Sequence, residues 1–373
     1  MVNSALKLDY EVYSISYFQT SDFPEIKNSI AILKEEDNTS CGSFEEQYDP
    51  KKLLEKGEEF LELADIIVLT SGISAKDFVG KYKKYASKIF GNKKISDIEN
   101  KYNFYRKIRN KYLTPETFQV NDIYEAVEIM KNNDSTKYII KPTSGSGGYD
   151  VNLLNKDSLH QLNNNYESWI IQEYITGRTI SSSVLSTGKE QKQIATSKIL
   201  TGKDFNQDNY IYMGNIVPLE NHGISQRLKQ ISENLIKDFG LVGSNGVDFI
   251  ENDKGTYVIE INPRLQGTYE CIERVLNINL LEAHIEAVKG NLMDVGEIKD
   301  YSYKRVIYAE DRVKYKHIDL NNIYDLPYDG SITEKGEPLL TIIDKNSNLK
   351  KLIENVDKTY LEIEKQLYNA NQI

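Results

Sequence analysis

The sequence predicts a mixed α/β protein, and three observations favour this fold class. Short apolar runs such as residues 65–70 are typical of buried parallel strands, and segments of helical length alternate with them. The chain has 373 residues, enough for two or three domains with their own cores. A strong hairpin pattern near residue 250 adds an antiparallel, α+β component.

The composition is that of an acidic protein with few cysteines. Asp and Glu total 56 against 46 Lys and Arg, which gives a net charge of -10. This charge argues against a nucleic-acid or membrane-surface partner, and no apolar stretch is long enough to span a bilayer. The two cysteines, Cys41 and Cys271, are far apart in sequence, as expected in a reducing compartment. Because residues 1–20 lack a signal-peptide core, we expect a cytoplasmic protein.

The first hundred residues predict half of a doubly wound unit. Its expected elements alternate along the chain: a strand over 10–18, a helix over 49–64, a strand over 65–70, a helix over 75–87 and a strand over 88–91. Asp49 is the expected N-cap of the first of these helices, and Pro50 is its expected first helical residue. Such a domain normally opens with a strand and a glycine turn, so we expect a missing first strand, through an upstream start codon or divergence.

The remaining chain predicts further helices and strands in mixed order. They are helices over 101–112, 122–132, 156–165, 224–239, 278–290 and 347–369, and strands over 136–141, 168–174, 180–185, 191–201, 305–309 and 339–343. The last helix carries one apolar stripe. Taken alone, the five basic residues within 101–112 indicate a solvated helix face.

The hairpin near residue 250 predicts a cluster of oxygen donors. A three-residue turn over 253–255, with Gly255 left-handed, pairs Asn252 with Thr256, Ile250 with Val258 and Asp248 with Glu260. Alternate strand residues share a face, so Glu260, Asn262 and Arg264 point one way while Ile259 and Ile261 enter a core. Two carboxylates and a carboxamide on one face suit Mg²⁺. The simpler interpretation is the solvated polar face of an edge hairpin.

A glycine-rich loop follows an apolar strand that ends at Lys141. Its residues Ser144, Gly145, Ser146, Gly147 and Gly148 offer backbone N–H groups and hydroxyls that phosphate oxygens accept, and Lys141 supplies a charge at the mouth. The spacing differs from a P-loop. The alternative is a flexible surface turn.

The strand over 168–174 leads into a turn at Gly177. Backbone groups near Glu173 and Ile175 are suited to an adenine edge, although an ordinary strand end has the same pattern.

In combination, these motifs resemble the ATP-grasp superfamily over roughly residues 90–310, in the same order. The continuation Leu265-Gln266-Gly267-Thr268 is similar to a branch of carboxylate–amine ligases with many archaeal members. The resemblance implies an ATP-grasp fold: a pre-ATP-grasp Rossmann-like domain over 1–100, a small lid subdomain over 101–174, and a large subdomain with a C-terminal mixed sheet over 175–373. It implies these site residues: phosphate lysines Lys101 and Lys141, a flap of Ser144, Gly145, Ser146, Gly147 and Gly148, an adenine hinge of Gln172, Glu173, Tyr174 and Ile175, metal ligands Asp248, Glu260 and Asn262, and catalytic roles for Arg264 and Lys141.

The chemistry implied by the resemblance is ATP-dependent biosynthetic ligation. A substrate carboxylate attacks the γ-phosphate of ATP, and an amine then displaces phosphate from the acyl phosphate. ATP with Mg²⁺ or Mn²⁺, two ions, is the implied cofactor set, and a homodimer is common in the superfamily. No general base stands out, and we expect the four histidines, His160, His222, His284 and His317, to be structural or surface residues.

Two positions depart from the family pattern. The acid that usually holds the ribose is replaced by Arg178-Thr179, and Asn100 precedes Lys101 where many relatives have Asp. Three alternatives stay open: a biotin-carboxylase-like activator of bicarbonate, a nucleotide-binding protein without ligase activity, and a structural scaffold. Gly267-Thr268, where carboxylases place a Glu-His pair, argues against the first. The metal-ligand trio argues against the second.

Overall fold

The computed structural model describes residues 1–33, 49–132, 136–145, 147–155, 158–159, 168–207 and 209–368. The chain divides into two compact units. The terminal unit comprises Met1–Lys93, Gly214–Pro218 and Gly267–Ile373, and the central unit comprises Lys94–Met213 and Leu219–Gln266. Both contain helices and strands, which confirms the mixed α/β class.

Helices and strands follow one another in mixed order along the described residues. The helices are α1 (Val2–Ala5), α2 (Pro50–Lys56), α3 (Glu58–Leu63), α4 (Ser96–Glu99), α5 (Lys101–Ile108), α6 (Ile123–Asn132), α7 (His222–Asp238), α8 (Tyr269–Leu276), α9 (Leu280–Lys289) and α10 (Leu349–Tyr368). The strands are β1 (Tyr13–Ser16), β2 (Asn28–Ala31), β3 (Thr117–Val120), β4 (Tyr138–Pro142), β5 (Asn152–Leu153), β6 (Trp169–Glu173), β7 (Arg178–Thr187), β8 (Gln191–Thr201), β9 (Tyr212–Val217), β10 (Val242–Asn252), β11 (Gly255–Asn262), β12 (Tyr301–Tyr308), β13 (Val313–Lys314), β14 (Ile323–Tyr324), β15 (Ile332–Thr333) and β16 (Pro338–Asn346).

The N-terminal part of the terminal unit is more irregular than the sequence predicts. Strands β1 and β2 pair in parallel. The helix expected over 49–64 starts as predicted, with Asp49 Oδ1 accepting a hydrogen bond from Lys51 N, but it is split into α2 and α3 at Gly57. A Cβ at Gly57 would lie 1.9 Å from Ile15 Cδ1, so the break lets β1 approach closely.

The strands expected over 65–70 and 88–91 reduce to one parallel bridge between Ile67 and Ile89. The α-helix expected between them is instead two 3₁₀ segments, Ala75–Asp77 and Gly80–Lys88. Side chains three residues apart eclipse in a 3₁₀ helix, and Tyr82 and Tyr85 are accordingly both buried in one core. Most of the helix expected over 156–165 lies outside the described residues.

The C-terminal part of the terminal unit is an antiparallel sheet. Strand β12 pairs with β9 on one side and β16 on the other, and β16 also pairs with β14. Helix α10 packs on β12 and β16. Helix α9 corresponds to the helix predicted over 278–290, whereas α8 was not predicted.

The central unit contains two sheets. Strands β3, β6, β4 and β5 form an antiparallel sheet in that order. Strands β11, β10, β7 and β8 are successive antiparallel neighbours, and α7 packs on β7, β8 and β10. Within the described residues, no helix combines the length and apolar character needed to cross a membrane.

The β10–β11 hairpin reaches the predicted Asp248–Glu260 pair by a different route. The turn has two residues, Asp253 and Lys254, because Asn252 pairs with Gly255 rather than with Thr256. Such a turn alone would pair Asp248 with Ile259. A β-bulge beside Asp248 adds one residue to β11 and restores the pairing of Asp248 with Glu260.

The predictions for the turn conformation and for the buried face of the hairpin were therefore partly wrong. Gly255 has φ +142° and is not in the left-handed helical conformation. Ile250 pairs with Tyr257, not Val258. Ile261 lies in the core as predicted, but Ile259, the extra residue of the bulge, is only half-buried.

We expect Gly177→Ala to destabilise the central unit by about 2 kcal/mol or more. A Cβ at Gly177 would lie 2.5 Å from the Glu251 carbonyl oxygen on β10, so the hairpin strand would have to move. Gly223→Ala, in the first turn of α7, is the matched control because its Cβ would have 3.5 Å to the nearest atom, Asn221 Oδ1. Urea unfolding followed by circular dichroism measures both variants. Equal midpoints for the two would contradict the close approach.

Candidate functional site

The hairpin face brings together the three predicted oxygen donors. Asp248 lies directly opposite Glu260, and Asn262 Nδ2 donates a 2.8 Å hydrogen bond to Asp248 Oδ2. All three side chains are half-buried. Because the Asn262 amide nitrogen faces Asp248, its carbonyl oxygen is the atom that a cation would meet.

The two carboxylates have opposite pKa shifts. Burial, and then the charge of Glu260, raise the pKa of Asp248 to about 7. Burial also acts to raise the pKa of Glu260, but the charges of Lys101, Lys141 and Arg264 outweigh burial and lower it. Two facing carboxylates in a partly desolvated site repel each other, and a divalent cation between them relieves that repulsion.

The chemistry of this donor set fits a hard divalent cation, with two carboxylates and one amide oxygen on one face. Among the described residues, no group of three or more His, Cys, Asp or Glu side chains is arranged to hold a metal. Two carboxylates and one amide oxygen would fill only part of an octahedral shell, as in Mg²⁺ sites that keep waters and substrate phosphates.

Lys101 joins the glycine-rich loop to the carboxylate face. Its Nζ donates to the Gly145 carbonyl oxygen at 2.8 Å and lies 3.4 Å from Glu260 Oε2. Its backbone N–H donates to the Thr143 carbonyl oxygen, and Asn100 caps α5 with its side chain, so the position of Lys101 is fixed at the start of the helix. The basic segment is therefore more than a solvated helix face, because its first lysine points into the site.

Lys141 is a buried cation at the end of β4, 5% exposed. Its Nζ donates to Gln172 Oε1 at 2.8 Å, and Gln172 in turn donates to Thr117 Oγ1. Burial, followed by the charge of Lys101, lowers the pKa of Lys141 to about 8, against an opposing effect of Glu260. A neutral carboxamide thus orients an ammonium that burial has deprived of water, and a nearby anion would stabilise its charge. Gln172, expected among the cofactor-binding residues, positions this lysine.

The glycine-rich loop packs on the chain segment before β9. Gly147 accepts a hydrogen bond from Tyr212 N, and a Cβ at Gly148 would lie 2.0 Å from the Tyr210 carbonyl oxygen. Gly147 and Gly148 have φ +74° and +77°, which side chains rarely adopt. Both glycines are therefore required by this loop conformation. Ser144 and Gly145 begin the loop, and Ser146 lies outside the described residues.

Two backbone N–H groups of the expected adenine hinge already donate hydrogen bonds within the protein. Glu173 N donates to the Glu116 carbonyl oxygen, and Tyr174 N donates to the Lys137 carbonyl oxygen, each at 2.8 Å. Base recognition by this segment would therefore use its carbonyl groups and the N–H of Ile175. The ring of Tyr174 lies 6.2 Å from that of Tyr210.

Arg264 follows the hairpin and lies near its carboxylates. Its backbone N–H donates to the Asn262 carbonyl oxygen, and its charge acts to lower the pKa of both Asp248 and Glu260. The half-buried guanidinium is thus at the same face.

Sequence analysis did not identify Ser181, Ser183 or Gln266 as supports of this face. Ser183 Oγ donates to Gln266 Oε1 at 3.1 Å, and Ser181 is the register partner of Asp248 on β7. Gln266 lies across Gly246, where a Cβ would clash with its amide. The run of three serines between Ile180 and Val184 was the available signal.

The histidines that the structure describes support the expectation of structural or surface roles. The buried His284 has its Nε2 3.0 Å from the Phe90 carbonyl oxygen, and His317 is exposed. The side chain of His222 and the whole of His160 are outside the described part of the chain.

Comparison with known proteins gives the same family. A model of the ATP-grasp domain matches residues 98–268. An uncharacterized protein of Methanocaldococcus jannaschii is 32% identical over 384 residues, covering 100% of this chain and 92% of that protein. Tyramine–L-glutamate ligase of the same organism is 31% identical over 160 residues, which is 43% of this chain and 44% of that enzyme.

A solved structure shows the same fold. Biotin carboxylase of Campylobacter jejuni, crystallised as a β,γ-ATP complex, superposes with a TM-score of 0.72 over 95% of this chain and 86% of that chain, at 16% sequence identity. With the matching domain, the full-length relative and this shared fold, the chain belongs to the ATP-grasp superfamily.

Proposed function

We propose that this protein is an ATP-dependent ligase that activates a small-molecule carboxylate as an acyl phosphate and joins it to an amine, releasing ADP and phosphate. The observation that carries the proposal is the position of Lys101, within 3.4 Å of a metal-type carboxylate and hydrogen-bonded to the glycine-rich loop. Lys101 therefore lies where a loop that suits phosphates meets a hairpin face that suits Mg²⁺.

The two lysines have complementary tasks in this proposal. Lys101 lies between the loop and Glu260, so it moves from a carboxylate to a phosphate oxygen when ATP enters. Lys141 is held from behind by Gln172, which keeps its ammonium directed toward the same space. Phosphoryl transfer depends mainly on alignment and charge neutralisation, which two fixed cations provide.

Asp248, Glu260 and Asn262 would hold the divalent ions, Mg²⁺ or Mn²⁺. When bound, such ions neutralise phosphate charge and stabilise both oxygens of the transfer. The carboxylates would hold the ions in place, and Arg264 would stabilise the negative charge that grows on the transferred group. The glycine-rich loop covers the phosphates and excludes water, which would otherwise hydrolyse the acyl phosphate.

An amide-forming reaction agrees best with the relatives and with the residues after Arg264. Tyramine–L-glutamate ligase, whose name states a carboxylate and an amine substrate, is 31% identical to this chain over 160 residues. Where a biotin-carboxylase-like reaction would need a Glu-His pair, this chain has Gly267-Thr268. We therefore propose a carboxylate and an amine as the substrates, in a soluble biosynthetic enzyme that works in the cytoplasm.

Acid-dependent ADP release tests the proposal directly. Purified protein is given ATP, Mg²⁺ and panels of amino acids, other carboxylic acids and amines, with hydroxylamine as a trap. We expect one acid to release ADP and to form a hydroxamate, because hydroxylamine captures an acyl phosphate. Bicarbonate as the sole effective acid would support the carboxylase alternative, and nucleotide binding without ADP release under any condition would support the non-catalytic one.

Glu260→Ala should lower the turnover number by about 100-fold or more while leaving the fold intact. The variant removes one of two facing carboxylates and the partner of Lys101, without touching the core. Glu190→Gln, on the exposed turn after β7, is the matched loss of a carboxylate and should have wild-type activity. The readouts are the ADP assay and the circular dichroism spectrum. Full activity in the Glu260 variant would contradict the metal-site assignment.

ATP affinity should fall as pH rises above about 8, by at most about tenfold per pH unit. In the nucleotide-free protein the pKa of Lys141 is lowered to about 8, so at higher pH a proton must be taken up before the lysine can pair with phosphate. Below pH 7 the lysine is already charged and this dependence disappears.

Calorimetry between pH 7 and 9.5 measures the effect, in two buffers that differ in ionisation enthalpy so that proton uptake is counted. Adenosine is the control ligand, because it has no phosphates and its affinity should not fall. An ATP affinity that stays constant across this range would rule out Lys141 as a phosphate ligand.

A further inference from the structure

The central unit contains an aromatic contact between the two ends of the proposed ATP site. The ring of Tyr210 lies 6.2 Å from the ring of Tyr174 in the hinge, at an interplanar angle of 67°. The backbone of the same residue lies against Gly148 of the glycine-rich loop, where a Cβ would be 2.0 Å from the Tyr210 carbonyl oxygen. Tyr210 thus touches both the segment that would read the base and the loop that would cover the phosphates.

This position determines which part of a nucleotide Tyr210 faces. In ATP the ribose connects the base to the phosphates. If the base lies at Glu173–Ile175 and the phosphates lie beneath Gly147 and Gly148, the sugar must pass beside the residue that contacts both. An aromatic ring suits one face of a sugar, because it covers C–H groups without competing for the hydroxyls.

The ammonium group of Lys203 lies close to the Tyr210 ring. Lys203 Nζ lies 5.2 Å from the centroid of the Tyr210 ring, and its side chain is exposed. Lys203 belongs to a 3₁₀ segment, Gly202–Phe205, that Asp204 caps by accepting from Thr201 N. A locally fixed turn therefore holds the ammonium over the Tyr210 ring.

Two acids of the neighbouring segments, Asp204 and Glu173, already have hydrogen-bond or ion-pair partners. Asp204 caps its own turn and also pairs with Lys198 at 3.0 Å. The Glu173 carboxylate accepts from Glu116 N at 3.3 Å. At the position after the hinge where an acid would hold the ribose hydroxyls, the chain has Arg178 and Thr179. At this position after the hinge the chain thus has a hydrogen-bond donor, the Arg178 guanidinium, in place of a carboxylate acceptor.

We propose that Tyr210 and Lys203 form the ribose wall of the nucleotide site, with the Tyr210 ring covering one face of the sugar and Lys203 donating to a sugar hydroxyl. This inference rests on the proposed function for the place of ATP and adds the groups that select a ribonucleotide. It also gives Tyr210 a second role, since the loop over the phosphates docks on its backbone.

Binding constants for ATP, 2′-deoxyATP and 3′-deoxyATP test the ribose wall, measured by calorimetry on the full chain without acid or amine. In the wild-type chain we expect ATP to bind about tenfold more tightly than the analogue that lacks the hydroxyl facing Lys203. Lys203→Met should weaken ATP by a similar factor and leave that analogue unchanged, so that the discrimination disappears.

Two variants of Tyr210 and one control variant separate the contribution of the ring from that of the Lys203 charge. Tyr210→Leu should weaken ATP and both deoxy analogues alike, because a ring contact does not depend on a hydroxyl, whereas Tyr210→Phe should keep most of the affinity. Lys189→Met, an exposed lysine on the β7–β8 turn, is the control for loss of positive charge and should match wild type.

The outcomes distinguish this inference from the proposed ligase. Unchanged ATP affinity and unchanged discrimination in Lys203→Met would overturn the ribose wall, even if the protein proves to be a ligase. ATP binding with the expected pattern but without any acid-dependent ADP release would leave the ribose wall intact and overturn the ligase proposal. Failure of the wild-type chain to bind ATP would overturn both.

Discussion

The pairing of β10 with β11 is the constraint on which the rest of the candidate site depends. Side chains alternate between the faces of a strand, so a slip of one residue would turn Asp248 and Glu260 apart. The opposite face prevents such a slip, because four of its residues are buried in one core: Val247, Phe249, Val258 and Ile261. Burial of each apolar side chain is worth about 1.5–3 kcal/mol, and a slip would expose all four. The hydrophobic core therefore sets the geometry of the polar face.

Charge balance explains why this face is suited to a nucleotide–metal complex. Two carboxylates face one another while Lys101, Lys141 and Arg264 lower the pKa of Glu260. Burial prevents each charge from being solvated by water alone, and Lys141 has only a neutral carboxamide, Gln172, as its hydrogen-bond partner among the described contacts. A polyphosphate would bring negatively charged oxygens to the lysines, and a divalent ion would bring positive charge to the carboxylates. The two ligands together satisfy a site that neither would satisfy alone.

The accuracy of sequence-based prediction followed the strength of local signals. Helices α6, α7 and α10 lie close to the predicted ranges because their apolar periodicity is long and continuous. Prediction failed where contacts with neighbouring chain segments determine the local conformation. The helix is broken at Gly57, where β1 approaches closely, and the segment 80–88 winds as a 3₁₀ helix with two buried tyrosines. Helix α8 was missed because its eight residues give too short a pattern.

The sequence by itself determined which residue types are available: a period-two strand with alternate acids and amides, glycines after Lys141, and the order of these motifs along the chain. It could predict that Asp248 meets Glu260, but for the wrong reason, since the turn is shorter than expected and a bulge compensates. Only the tertiary structure decided that Gln172 orients Lys141, that Lys101 reaches Glu260, and that Tyr210 joins the hinge to the loop. These contacts join residues between 31 and 159 positions apart in the chain, so no local sequence pattern encodes them. They arise only when strands pair and loops pack in the folded unit.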